Sequence, residues 1–100
     1  MSLAMPEVEI LALLDTLDPW TIAIESDSGE TREQECFPTY ATRGLERKLV
    51  AVFRVEESEL EITVVKAKLT SPHGDAWTQV LYPRYTLAPG DSLEITWMLG

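Results

Sequence analysis

The stretch SLEITWM, residues 92–98, sets Leu93, Ile95 and Trp97 on one side of an extended chain. Ser92, Glu94 and Thr96 take the other side. A repeat of two is the period of a β-strand, so a chain carrying several such stretches is committed to sheets with one buried face. The pattern recurs. In WTIAIES, Trp20, Ile22 and Ile24 alternate with Thr21, Ala23 and Glu25. In LVAVFRV, Leu49, Ala51, Phe53 and Val55 share a face against Val50, Val52 and Arg54. In ELEITVVKAKL, Leu60, Ile62 and Val64 point inward, and the adjacent Val64 and Val65 break the alternation as a β-bulge does. AWTQVLY, residues 76–82, is a further strand that Pro83 ends or confines to an edge. RYTLA is a short extended piece, and PGD turns the chain as a type II turn would, with proline presetting one central position and Gly90 supplying a positive φ at the next.

Residues 6–17, PEVEILALLDTL, read as a helix with Pro6 at its first position and Ile10, Leu13, Leu14 and Leu17 on one face. Glu7 and Glu9 suit the positive end of its dipole. The competing reading is a buried strand through residues 8–14. Asp18–Pro19 ends the element in either case. Residues 27–48 lose all rhythm and read as a long irregular loop, the segment where a function would reside. The links between strands are too short for the crossovers of a parallel sheet. The expectation is a mainly β chain: an antiparallel β-sandwich or barrel-like sheet of five to seven strands with one short N-terminal helix. Residues 1–100 form a single domain, with residues 1–4 a leader before a natural start at Met5.

The balance of 17 acids against 8 Lys and Arg gives a net charge of −9, spread over both halves of the chain. Such a surface repels phosphate backbones, so no nucleic-acid partner is expected. No apolar run approaches the roughly 20 residues of a membrane span, and no basic-then-apolar leader is present, so neither membrane nor export is expected. One cysteine, Cys36, allows no intrachain disulfide.

The residues assemble no recognisable chemistry. His73 is the only histidine and Cys36 the only thiol, which is too few for a zinc or copper site. Asp27, Glu30 and Glu33 lack the spacing of a calcium loop. Glu59 and Glu61 alternate with apolar neighbours and face solvent, not a cleft. No glycine-rich phosphate loop occurs. The chain is therefore expected to be no enzyme and to need no cofactor or metal. Trp20 and Trp97 read as core. Trp77 is open to two readings, as core or as part of a sugar-stacking platform with Tyr82 or Tyr85. The second would make a small ligand-binding β-sandwich such as a carbohydrate-binding module.

The order of elements adds a resemblance. An apolar helix is followed by a Trp-led strand, a stretch holding FPTYATRGL, two strands, a Ser-Pro-His-Gly-Asp loop, and LYPRYTLAPGDSLEITWMLG. Tyr40 and Arg43, then Pro83, Arg84, Thr86, Leu87, Gly90, Asp91, Leu93 and Ile95, match the pattern of small β-sandwich structural proteins of tailed bacteriophages and prophages. One extra residue lies between Tyr40 and Arg43, Tyr85 sits as an insertion, and the N-terminal Asn/Gly-Lys signature of those proteins is absent. The resemblance implies a non-enzymatic head–tail or tail component. It would assemble in the cytoplasm of a bacterial host and then reside in the virion, acting through protein contacts that include self-association. Phe37, Tyr40, Arg43 and Arg47 are the candidate contact residues, because Tyr and Arg recur in interface hot spots. The alternative is that Phe37 and Tyr40 cap an open end of the sandwich.

Overall fold

The computed structural model describes residues 5–99, so the reading of residues 1–4 as a leader lies outside the described residues. A helix, α1 (Glu7–Asp15), precedes seven strands: β1 (Trp20–Ser26), β2 (Thr31–Cys36), β3 (Thr39–Arg43), β4 (Glu46–Arg54), β5 (Ile62–Thr70), β6 (Ala76–Leu87) and β7 (Ser92–Leu99). The strands form two antiparallel sheets, ordered β2-β1-β5-β6 and β3-β4-β7. The architecture is the sandwich, and the sheets do not close into a barrel. Hairpins alternate with crossings: β1–β2 and β5–β6 lie in the larger sheet, β3–β4 in the smaller, and the chain changes sheet after β2, β4 and β6.

The alternation read from the sequence sets the core. Trp20, Ile22 and Ile24 from β1 face Leu49, Ala51 and Phe53 from β4, with Ile95, Trp97 and Leu99 from β7. Val65 is unpaired on both sides of β5. The register slips between Val64 and Lys66 against β6, and between Ser26 and Glu25 against β1. The bulge restores the inward phase, so that Val64 and Ala67 both enter the core. On β6 the ladder leaves Val80 opposite Lys66 and resumes at Tyr85 opposite Val64. Residues 81–84 therefore bow out, and the Tyr82–Pro83 peptide is cis. The break expected at Pro83 is this excursion. The expected turn is also present: the Asp91 N–H donates to the Ala88 carbonyl at 2.9 Å with Gly90 at φ 90°.

Glutamine amides close both seams between the sheets. Gln34 on β2 accepts the Arg54 N–H at 3.1 Å through Oε1, while its Nε2 donates to the Arg54 carbonyl, so the side chain pairs with β4 as a strand residue would. Gln79 on β6 donates to the Thr96 carbonyl of β7 at 2.9 Å.

Three expectations require correction. The segment 27–48 is no irregular loop: it holds β2, β3 and the start of β4. Both missed strands are sheet edges, and β2 carries Thr31, Glu33 and Glu35 outward with Arg32 and Gln34 half-buried, so the apolar alternation that marks a strand is absent. The helix is shorter than residues 6–17. It ends where the Thr16 hydroxyl donates to the Leu13 carbonyl at 2.7 Å, and Leu17 takes φ 60° and lies exposed, off the face of Ile10 and Leu13. Leu60 is exposed as well, because β5 begins only at Ile62. The preceding residues form a turn in which the Glu59 carboxylate accepts the Glu56 N–H at 2.8 Å and the Leu60 carbonyl accepts Arg32 Nη2 at 3.1 Å.

Candidate interface at the β3–β4 hairpin and the helix groove

The four candidate contact residues divide into two pairs. Tyr40 lies opposite Leu49, turns inward and packs against the core half-buried. Arg47 Nη1 donates to the Met5 carbonyl at 2.7 Å, tying the chain before α1 to β4. These two side chains have work inside the fold. Phe37 and Arg43 remain outside, at opposite ends of β3. Phe37 is 66% exposed and lines a shallow groove of about 580 Å³ with Thr39, Val50 and Val52 on its apolar side and Glu35, Glu56 and Glu94 on its acidic side.

Arg43 stands at the tip of the β3–β4 hairpin, where it faces Glu46 across the turn. Between them lie Gly44 and Leu45, and every residue from 42 to 46 is exposed. Leu45 is 101% exposed, so its whole side chain projects into solvent with no contact to shield it. Leu45 was not among the residues singled out from the sequence. The signal available was a leucine next to a glycine in a charged stretch, where a turn favours polar side chains.

A second groove, about 370 Å³, lies between α1 and the β5–β6 turn. Met5, Ala12 and Leu13 supply its apolar lining, and Glu9, Thr16, His73 and Asp75 its polar groups. The turn is held rigidly. The Ser71 hydroxyl oxygen accepts the N–H groups of His73 and Asp75 at 3.2 and 3.1 Å and its proton points to Asp75 Oδ2 at 3.2 Å. The Ser71 N–H meets the Asp75 carbonyl at 2.7 Å. His73 and Asp75 thereby face α1 across the groove.

Trp77 is 1% exposed and stacks on Trp20 with ring centroids 6.0 Å apart and planes at 20°. The platform of Trp77 with Tyr82 or Tyr85 is therefore not built: Trp77 points into the core while Tyr82 stands 96% exposed on the bowed segment of β6. Gln79 shares the inward face with Trp77 because it sits at the seam, where its amide reaches β7. Cys36 is buried, and desolvation pushes its thiol up to about 11 from 9.0, so at neutral pH it carries its proton. Among the described residues no group of three or more His, Cys, Asp or Glu is placed to hold a metal ion, and no helix is long and apolar enough to cross a membrane.

Comparison with family models, with curated proteins and with solved structures gives no match to this chain.

Proposed function

We propose that the chain is a structural assembly protein that acts through subunit contacts, as a component of a phage or prophage particle, and that the β3–β4 hairpin is one of its contact surfaces. The observation that carries this reading is the hairpin tip. A fully exposed Leu45 beside an exposed Arg43 at the tip combines unshielded apolar area with a forked cation of the kind enriched in interface hot spots. The sequence resemblance to small virion proteins supports the particle as its setting. Tyr40 and Arg47 serve the same surface from below by fixing the hairpin to the core and to the segment before α1.

Particle composition tests the proposal. The chain is expected in purified particles of its host, and its gene beside genes for capsid, portal or tail proteins. Leu45→Ser with Arg43→Glu is expected to leave the circular dichroism spectrum unchanged while removing the chain from particles. Its absence from particles, or full incorporation of the double variant, would overturn the reading.

A further inference from the structure

We propose that the β3–β4 hairpin tip of one copy seats in the groove between α1 and the Ser71–Asp75 turn of a second copy, and that the contact is reciprocal, giving a closed two-fold dimer. The inference names the partner for the assembly reading and rests on the hairpin being a subunit contact.

Charge is the first argument. The chain carries −9 overall, yet three of its eight Lys and Arg, namely Arg43, Arg47 and Lys48, fall within residues 43–48 against the single acid Glu46. Arg47 bonds the Met5 carbonyl at the base of the hairpin, so Arg43 at the tip and Lys48 on β4 are the exposed cations this hairpin presents on an acidic body. The groove offers the opposite: Glu9 and Asp75 stand on its polar side. Opposite potentials of this kind steer two surfaces together and fix their register.

Shape and polarity supply the second argument. A leucine side chain needs an apolar seat, and the groove provides one lined by Met5, Ala12 and Leu13. A volume of about 370 Å³ accommodates a leucine with the aliphatic stem of an arginine beside it. In this pose Leu45 enters the apolar lining and the Arg43 guanidinium meets Glu9 and Asp75, leaving His73 at the rim.

Position is the third argument. The hairpin and the groove occupy the same end of the sandwich. Arg47, at the base of the hairpin, bonds the carbonyl of Met5, which lines the groove. A donor patch and an acceptor patch side by side on one surface are what an isologous contact requires, because one two-fold rotation then satisfies both at once.

Sedimentation velocity and light scattering on the purified full chain test the pairing. The wild type is expected at twice the chain mass at high concentration, with affinity falling at least ~10-fold between 50 and 500 mM NaCl as screening grows. Arg43→Glu and Glu9→Arg, both at exposed positions, are each expected to sediment as monomers with unchanged circular dichroism. Mixed one to one, the two variants are expected to recover the dimer mass, because each then presents the charge that the other has lost. A wild-type chain that stays monomeric at millimolar concentration overturns the inference, as does a dimer indifferent to both substitutions or a mixture that fails to pair. A monomeric wild type whose hairpin variants are nevertheless lost from particles would place the tip against another protein, overturning the dimer while leaving the assembly reading intact.

Discussion

Cys36 shows how one residue couples packing to pH. It ends β2 with its side chain buried, and burial disfavours the thiolate. The thiol titrates at about 11 in the folded chain against 9.0 for a free one. The folded state therefore holds the proton more tightly than the unfolded state. The contribution of this group is intact below pH 9 and is lost as the pH rises through about 11. Urea unfolding of the wild type and of Cys36→Ala at several values between pH 8 and 11 checks this. The wild-type advantage is expected to shrink across that interval, and a difference that stays flat would refute the assignment. Thiolate absorbance should show its midpoint near pH 11, and alkylating reagents at pH 8 should label the folded chain far more slowly than the unfolded one.

At the scale of elements, two hairpins of the larger sheet use one device. Ser26-Asp27-Ser28-Gly29-Glu30 joins β1 to β2, and Ser71-Pro72-His73-Gly74-Asp75 joins β5 to β6. In each, the serine is buried and its hydroxyl oxygen accepts N–H groups two and four residues on. In each, the glycine N–H donates to the serine carbonyl at 3.0 Å, with the glycine at φ 90° or 96°. This is a type I turn followed by a left-handed glycine, a common three-residue hairpin loop. No atom lies within 4 Å of a Cβ added at Gly29 or Gly74, so the cost of substitution there is conformational alone. Gly29→Ala and Gly74→Ala should each cost about 1–2 kcal/mol, and Asn should recover part of it because its side chain tolerates the left-handed region. Urea midpoints for the four variants test this, and equal values for Ala and Asn would contradict it.

These turns were legible in the sequence only singly, as polar loops. Their common Ser-x-x-Gly-acid spacing was the unused signal. β1, β4, β5 and β7 were legible because each is a central strand or the wall of the core, where alternation is forced by burial. β2 and β3 were not, because these two edge strands are polar and charged along almost their whole length and so carry no apolar period. Of the four candidate contact residues named from the sequence, Phe37 and Arg43 are the two that lie exposed in the structure. Leu45 was passed over, although a leucine beside a glycine in a charged stretch was the signal that could have found it. The helix groove was not legible either. It exists only because the Ser71 turn and α1, distant in sequence, meet at one end of the sandwich.

For the whole molecule, the sandwich stands or falls on β7. The smaller sheet is β3-β4-β7, and β7 pairs along its full length with β4, from Arg54 opposite Ser92 to Arg47 opposite Leu99. Ile95, Trp97 and Leu99 are its contribution to the core. Without β7 the smaller sheet is the β3–β4 hairpin alone, and an isolated hairpin is marginal in water. Phe53 and Leu49 would lose their flanking wall, and the inner face of β6 would lose the strand that Gln79 holds. The larger sheet does not survive this, because the Trp20–Trp77 stack and β1 are covered from the other side by the same smaller sheet. A chain truncated after Asp91 is therefore expected to be unfolded, with no near-ultraviolet circular dichroism and a collapsed amide dispersion. The missing strand is short, continuous and joined only through the 88–91 turn, so a synthetic peptide of residues 92–100 is expected to restore the native spectrum when added in trans. A truncated chain that keeps the native spectrum unaided would show that the larger sheet is an independent folding unit, and the single shared core inferred from the packing would then be wrong.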